Sequence, residues 1–325
     1  METNMSARCT ICPRNCLIEP GKFGACGVRT CLNDSVTHAD YGLLSAIHID
    51  PIEKKPLNHY LPGASALSLG SFGCNLMCRG CQNYEISRAS CQCGGFKLSP
   101  EKIIHTAKTH QCPIIAYTYN EPIIWAEFVC ETAHEAKLAG LKNIMVTAGY
   151  ATLDTAKWLF SDIDGANVDL KGFSEDFYKS WANGKLQPVL EILEYLHSIP
   201  DFWLEITTLL IPGINDDTQM LKQEFEWLAA HLGTEIPVHL SAFHPDYKAL
   251  DIPCTPVQTI QKARQLAQDI GLKFIYPGNV RLSADTCCPN CANTLIRRQG
   301  FHIEITGMNH QRCASCGQII PGVFA

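Results

Sequence analysis

Three cysteines near the middle of the N-terminal half, Cys74, Cys78 and Cys81, have a spacing that can hold an iron–sulfur cluster. They follow a short apolar segment at residues 66–70. A [4Fe–4S] cluster normally takes four cysteine ligands, and this loop supplies three of them. A structural zinc site would also require four ligands, and the loop holds no His or further Cys. The pattern therefore predicts a cubane cluster in which one iron is open to a ligand that is not protein.

This C-x3-C-x2-C loop after a strand resembles the cluster loop of the radical SAM enzymes. The resemblance implies that S-adenosylmethionine (SAM) chelates the open iron through its amino and carboxylate groups. It also implies that SAM is cleaved reductively to a 5′-deoxyadenosyl radical, with the protein supplying orientation and a dry site. The sequence departs from the family at Gly80, where an aromatic side chain usually lies beside the adenine. Here only the backbone of Gly80 is expected to contact the base.

The overall composition predicts a cytoplasmic protein that binds metal. A chain of 325 residues can form one large domain with small appendages. The formal net charge of −6 gives no clustered basic footprint for nucleic acid, and neither a signal peptide nor an apolar segment of about 18 residues is expected. Because the cytosol keeps thiols reduced, the 18 cysteines predict metal binding rather than a disulfide framework, and we expect no membrane partner.

Strand and helix patterns alternate within a predicted core domain at residues 64–284. Strands are predicted at residues 66–70, 114–119, 143–147, 165–170, 203–210, 236–242 and 273–276. Helices are predicted at residues 100–110, 123–139, 153–160, 187–198, 219–231 and 256–270. Such alternation favours right-handed crossovers and a parallel sheet. The units are fewer than the eight of a closed barrel, so we expect an α/β fold with a partial (β/α)6 TIM-type barrel, which is also the fold that the resemblance implies.

Functional side chains gather at the C-terminal ends of strands in parallel barrels. The turn containing Asn120 and Glu121 resembles a Gly-Gly-Glu-Pro turn that contacts the SAM amino group, which a carboxylate suits; a helix-capping turn before Pro122 is compatible with the same residues. Alternation places Asp169 and Lys171 on one face, where they suit the ribose hydroxyls and carboxylate of SAM; a structural ion pair is the alternative. The predicted cofactor-binding set is Gly80, Asn120, Glu121, Thr147, Asp169, Lys171, Gly278 and Asn279.

Several other polar residues receive weaker predictions. Thr147 is equally well explained as a β-branched strand residue. His239 and His244 are candidates for the substrate side, because His titrates near neutral pH, but a structural role is more common for a lone His. Cys91-Gln92-Cys93 lies near the cluster loop, where a redox role and a chance pair are the alternatives.

Two further cysteine sets lie at the ends of the chain. Cys9, Cys12, Cys16 and Cys26 lie among glycines suited to tight turns, in a segment spanning residues 1–63. A four-thiolate zinc site is the first hypothesis for them, and a second iron–sulfur cluster is the alternative. Cys288, Cys291, Cys313 and Cys316 form two C-x2-C knuckles within residues 285–325. They predict a zinc ribbon, with a rubredoxin-like iron or a relay cluster as alternatives.

The combined motifs, from Asp50-Pro51-Ile52-Glu53-Lys54-Lys55-Pro56 to the terminal ribbon, resemble the radical SAM member of the AmmeMemoRadiSam system. That family is related to the pyruvate formate-lyase activating enzymes. The resemblance implies an external flavodoxin- or ferredoxin-type electron donor and functional association with Memo-like and AMMECR-type proteins. It favours hydrogen abstraction from an unidentified substrate, with activation of a glycyl-radical protein as the leading hypothesis. The alternatives are radical modification of a small molecule or peptide, and an iron–sulfur and zinc module without SAM chemistry.

Overall fold

Strands and helices alternate through the middle of the chain. The computed structural model describes residues 5–89 and 94–324. The strands are β1 (Ala7–Arg8), β2 (Leu17–Ile18), β3 (Arg29–Leu32), β4 (Ser35–His38), β5 (Leu43–Leu44), β6 (Ala46–Pro51), β7 (Ser65–Gly70), β8 (Phe96–Lys97), β9 (Ile114–Tyr117), β10 (Lys142–Thr147), β11 (Gly165–Asp169), β12 (Trp203–Leu210), β13 (Val238–Ala242), β14 (Ile275–Gly278), β15 (Thr286–Cys287), β16 (Thr294–Gln299), β17 (His302–Ile305), β18 (Met308–Asn309) and β19 (Arg312–Cys313).

The helices lie mainly between the central strands. They are α1 (Tyr84–Ser87), α2 (Pro100–Thr109), α3 (Ala126–Leu138), α4 (Leu153–Leu159), α5 (Glu175–Phe177), α6 (Gln187–Ser198), α7 (Thr218–His231) and α8 (Val257–Ile270). Short 3-10 turns occupy Ile52–Lys54 and Pro122–Trp125, and a π-helical turn occupies Tyr178–Ala182. Among the described residues, no helix is both long and apolar enough to cross a membrane.

One eight-stranded sheet organises the chain. Its strand order is β14-β13-β12-β11-β10-β9-β7-β6. Seven neighbouring strands run parallel, and β6 pairs antiparallel with β7 at one edge. The predicted α/β fold with a mostly parallel sheet is confirmed. The strand order ends at β14 and β6, which do not pair with each other, so the sheet is open. The curvature of this sheet into a partial barrel stays a prediction, as do the domain boundaries.

The central elements are those predicted, and capping residues mark several of the helix ends. All seven predicted strands are present, with ends within two residues of the predicted ones. The Thr152 and Asp217 side chains cap α4 and α7 by accepting hydrogen bonds from backbone amides. Gly271, with φ of 109°, ends α8 in the left-handed region. The helices pack their apolar faces on the sheet, and this packing fixes the C-terminal strand ends relative to one another.

The N-terminal side of the sheet is closed by buried polar contacts. The Glu205 carboxylate is fully buried and accepts hydrogen bonds from the backbone amides of Asn58 (2.9 Å) and His59 (2.7 Å). Arg298, on β16 of the C-terminal segment, donates to the Asn58 carbonyl at 2.7 Å. These buried hydrogen bonds join the lead-in segment, the sheet and the C-terminal extension. The opposite, C-terminal side of the sheet remains available for a site.

Candidate active site

The three-cysteine loop follows β7 and is held in place by Asn120. The Asn120 amide nitrogen donates to the carbonyls of Phe72 (3.0 Å) and Gly73 (3.1 Å). Its amide oxygen accepts a hydrogen bond from the Ser71 backbone N–H at 2.9 Å. The side chain is therefore occupied by the loop itself, and Asn120 positions the cysteines as well as bordering the site.

A cavity of about 550 Å³ lies at the C-terminal ends of the strands. Cys74, Cys78 and Cys81 all line it, as do seven of the eight predicted cofactor-binding residues, Gly80, Asn120, Glu121, Thr147, Asp169, Lys171 and Asn279. Among the described residues that line it, there is no fourth Cys and no His. No three cysteine sulfurs here lie within 4.8 Å of one another, so the donors are too widely spaced for one tetrahedral ion. The donor set fits a cubane with one iron free of Cys and His.

The Glu121 carboxylate is buried beside this cavity. It accepts hydrogen bonds from the Thr147 hydroxyl, the Ala148 amide (2.8 Å) and the Ile123 amide (3.2 Å). Burial raises the pKa of Glu121, although these three hydrogen bonds act in the opposite direction. A cation in the cavity would favour the ionised form. Thr147 thus holds Glu121 in position, and Glu121 also caps the 3-10 turn that follows.

Asp169 and Lys171 form an ion pair in the same cavity. The Lys171 Nζ lies 3.0 Å from the Asp169 Oδ2. Burial lowers the pKa of Lys171, but the Asp169 carboxylate more than reverses this effect and keeps the net pKa above the ordinary value. The predicted common face is therefore present, and the alternative of an ion pair is present as well, whereas contact of the pair with SAM stays a prediction. Both side chains remain partly exposed to the cavity, where polar groups of a ligand can reach them.

Two aromatic side chains occupy the space beside Gly80. A Cβ at Gly80 would lie 2.7 Å from Phe243 and 3.0 Å from Trp181. Trp181 lines the cavity and comes from the π-helical turn, far from the loop in sequence. The Arg79 guanidinium lies over the Trp181 ring, 5.5 Å from its centroid. An aromatic surface is thus present next to position 80, although the sequence places a glycine there.

A charged cluster forms one rim of the cavity. The Asp50 carboxylate lies 2.8 Å from the Nζ atoms of both Lys54 and Lys55. The Tyr119 hydroxyl also donates to Asp50, and Lys55 lies 4.6 Å from the Tyr119 ring centroid. Tyr119 has a φ of 70°, and the Asn83 side chain donates to its carbonyl at 2.7 Å. Tyr119 therefore joins the cysteine loop to the rim. Its strained backbone conformation is of the kind that clusters at functional sites.

Some predicted residues lie elsewhere. Gly278 does not line the cavity; a Cβ there would lie 2.6 Å from the Ser241 hydroxyl, so its role is close packing. The hypothesis that His239 faces a substrate is wrong, because its Nε2 lies 2.6 Å from the buried Glu205 carboxylate and His239 does not line the cavity. His244 is exposed and also does not line it. The Cys91-Gln92-Cys93 segment lies outside the described residues.

The two terminal cysteine sets have different geometries. In the C-terminal set, the Sγ atoms of Cys288 and Cys316 lie 3.6 Å apart, as do those of Cys291 and Cys313. All four sulfurs lie within 4.8 Å of one another. This is the spacing of a tetrahedral tetrathiolate site. In the N-terminal set, no three of the four described cysteine sulfurs are that close. Cys31 is buried in the core next to them, as a plain thiol would be.

The fold and this site define a class of protein. The radical SAM superfamily model matches residues 69–224. Over 322 residues, 98% of this chain and 96% of its relative, the sequence is 40% identical to Uncharacterized protein MJ0808 of Methanocaldococcus jannaschii. The chain belongs to the radical SAM superfamily, whose members use a [4Fe–4S] cluster and SAM and catalyse radical reactions.

Solved structures share the fold. Streptococcus suis SuiB bound to S-adenosylmethionine has a TM-score of 0.52 and 11% identity, over 71% of this chain and 53% of that one. A domain of pyruvate-formate lyase-activating enzyme from Bacteroides vulgatus has a TM-score of 0.45 and 20% identity, over 50% of this chain and 98% of that one. At 11% identity the similarity to SuiB concerns the fold alone, and nothing is concluded from the second structure.

Proposed function

We propose that this chain binds SAM at a cluster held by Cys74, Cys78 and Cys81 and abstracts a hydrogen atom from a substrate. The observation that carries the proposal is the cavity in which these three cysteines meet Glu121 and the Asp169–Lys171 pair. The cluster, when bound, supplies the single electron that breaks the C–S bond of SAM. The protein's own contribution is to orient SAM and to exclude water from the radical.

The cavity offers a partner for each part of SAM. The buried Glu121 carboxylate suits the amino group, because a cation there offsets the cost of burying the charge. Lys171 suits the methionine carboxylate and Asp169 suits the ribose hydroxyls. Trp181, which lines the cavity beside Gly80, provides the aromatic contact for the adenine that Gly80 lacks. Asn279, which lines the cavity at the end of β14, can contact the base edge through its amide.

The leading substrate hypothesis is a glycyl segment of a protein. A cavity of about 550 Å³ must accommodate the cluster and SAM, so little of it remains for a substrate. A short stretch of peptide without side chains suits this space better than a bulky molecule. Lys54, about half exposed on the rim, can contact carbonyl oxygens of such a segment.

A second candidate is radical modification of a small molecule or peptide together with Memo-like and AMMECR-type proteins. The rim residues Lys54, Lys55 and Tyr119 favour a polar substrate in either case. An external flavodoxin or ferredoxin would supply the electron, and the protein would act in the cytoplasm. A module without SAM chemistry is the third candidate, and it leaves Glu121 only the structural role of capping the 3-10 turn that follows.

The C-terminal segment is proposed to be a structural zinc ribbon. Its support is the close quartet of sulfurs, with Cys291 and Cys316 exposed and Cys288 and Cys313 buried. A small extension of this kind gains stability from a bound ion. Replacing Cys291 with Ser should remove one zinc per chain, whereas replacing the neighbouring exposed Cys287 should leave the zinc content unchanged.

Anaerobic turnover separates these candidates. Purified protein, reduced by flavodoxin, is incubated with SAM, and 5′-deoxyadenosine is quantified by chromatography. The enzyme hypotheses predict its release, and loss of that release in Cys78→Ala; absence of release from cluster-loaded protein would leave only the module. Adding a peptide whose glycines carry deuterium then tests the substrate: deuterium in the 5′-deoxyadenosine supports glycyl abstraction. Deuterium transfer only from a small molecule, with the two partner proteins present, favours the second candidate.

A further inference from the structure

We propose that Cys9, Cys12, Cys16 and Cys26 hold a second [4Fe–4S] cluster rather than a single zinc ion. The four residues belong to the hairpin of β1 and β2 and to the turn that precedes β3. All four line one cavity, which they share with the apolar side chains of Ile11, Ile18 and Ile124. They form a complete set of four thiolate ligands and therefore require no external ligand.

The distances between the cysteine sulfurs distinguish a single zinc ion from a [4Fe–4S] cluster. A tetrahedral ion with metal–sulfur bonds of about 2.3 Å holds its ligands about 3.8 Å apart. The cysteine sulfurs around a cubane lie about 6 Å apart, because each binds a different iron at an outer corner. Among the described residues, only the C-terminal quartet brings three or more such ligand atoms within 4.8 Å of one another.

The chain therefore contains two references for comparison. The quartet of Cys288, Cys291, Cys313 and Cys316 has the close spacing of a zinc site. In the loop of Cys74, Cys78 and Cys81, which belongs to the radical SAM domain, the three sulfurs do not all lie within 4.8 Å of one another. In the N-terminal four, likewise, no three of the sulfurs all lie within 4.8 Å of one another. The N-terminal set thus lacks the close spacing of the C-terminal quartet, as the three-cysteine loop does.

Arg29 provides a second and independent observation. Its side chain is only 4% exposed, and its Nη atoms donate to Glu127 at 2.9 and 2.6 Å. Its Nε–H has no partner among the described residues, although Arg29 lines the cavity of the four cysteines. A buried N–H donor of this kind is expected to have a hydrogen-bond acceptor. The sulfides of a cubane provide acceptors beyond the four thiolates, and hydrogen bonds to cluster sulfurs are common.

The proposed cluster would lie next to the three-cysteine loop. Asn75, which follows Cys74, also lines the N-terminal cavity and is fully buried. The Arg14 side chain donates to the Asn75 carbonyl and so ties the N-terminal hairpin to the loop. The proposed second cluster therefore contacts the active-site loop through Asn75. Loss of this cluster is expected to disturb the cysteines that hold the first cluster.

Metal analysis of anaerobically isolated protein tests this proposal. The wild type should contain about eight irons and one zinc per chain. The triple variant Cys74→Ala/Cys78→Ala/Cys81→Ala should keep about four irons, with the Mössbauer spectrum of a [4Fe–4S] cluster. About four irons and two zincs in the wild type, or a triple variant holding zinc or a single iron at the N-terminal set, would overturn the proposal.

Two features keep the test interpretable. The triple variant has no SAM site, so its iron content does not depend on the proposed function, and a failure of SAM cleavage leaves this measurement unaffected. If the triple variant does not accumulate, the wild-type metal content and Mössbauer intensity decide alone. Cys254→Ser, an exposed cysteine outside the three sets, is the matched control and should retain the full iron content.

Discussion

Gly73 lies directly against Cys26: a Cβ on Gly73 would come 2.3 Å from the Cys26 carbonyl oxygen. The backbone of the active-site loop therefore packs on the backbone of the N-terminal cysteine segment. Gly73 also has a φ of 77°, which a side chain disfavours. Position 73 must be a glycine for both reasons, and the two cysteine segments form one structural unit.

Gly73→Ala should destabilise the protein and lower the iron bound by the loop. We expect a loss of at least about 2 kcal/mol beyond that of Gly140→Ala, because the added methyl group must displace backbone. Gly140 is the matched control, with a φ of 79° and nothing within 4 Å of its Cβ position. Gly140→Ala therefore measures the cost of the backbone strain alone, without a steric clash of the added methyl group. Urea unfolding under anaerobic conditions and iron content measure both effects. Equal losses in the two variants would show that the contact with Cys26 is unimportant.

Trp181 should contribute to SAM affinity. Stacking of a base on an aromatic side chain is worth about 1–3 kcal/mol, so Trp181→Ala should raise the Kd for SAM at least about fivefold, and Trp181→Phe should restore much of the affinity. Equilibrium binding of SAM to the cluster-loaded protein measures this. Trp158→Ala, at a position 39% exposed on α4, is the control and should bind normally. Unchanged SAM affinity in a folded Trp181→Ala protein would remove Trp181 from the site.

Glu224 should make the protein less stable as the pH rises. Burial raises the pKa of Glu224 from 4.5 to about 8, and its carboxylate accepts a hydrogen bond from the Thr208 hydroxyl. Between these two values the unfolded chain has released a proton that the folded chain still holds, so the free energy of unfolding falls as pH increases, by about 3–5 kcal/mol in total. Glu224→Gln should flatten that decline in urea midpoints measured from pH 5 to pH 8. Glu226→Gln, exposed on the same helix, should retain the wild-type slope.

Asp50 should be needed to keep Lys55 buried. Lys55 is 2% exposed, and removing its carboxylate partner leaves an unpaired buried cation. Asp50→Asn should therefore destabilise the protein by about 3 kcal/mol. Lys54→Gln removes the exposed partner of the same carboxylate and should cost less than about 1 kcal/mol. Urea unfolding of both variants tests the difference, and similar losses would contradict a special role for the buried pair.

The fold was largely predictable because its signals are local. The seven parallel strands and their helices are marked by short apolar segments, Pro and Gly at the joins, and side chains that cap the helices. The motif of Cys74, Cys78 and Cys81 is equally local. The π-helical turn carrying Trp181 was not predicted, since such turns have no clear sequence pattern.

The rest of the site depends on contacts between distant parts of the chain. Trp181 fills the space beside Gly80 although it lies about a hundred residues away in the sequence, and no local sequence pattern predicts that contact. For His239 the sequence left a substrate-side role and a structural role open, and the contact of its Nε2 with the buried Glu205 carboxylate, which decides for the structural role, joins residues 34 positions apart. The wide spacing of the N-terminal thiols is likewise a tertiary property, which the sequence pattern left open between zinc and a cluster.

The central claim is that one iron of the three-cysteine cluster is open to SAM. The most direct measurement is electron–nuclear double resonance of the reduced cluster with SAM carrying ¹⁵N in its methionine amino group. We predict a nitrogen hyperfine coupling, which disappears in Cys78→Ala. A reduced cluster whose spectrum is unchanged by SAM and shows no coupling to the labelled nitrogen would contradict the account.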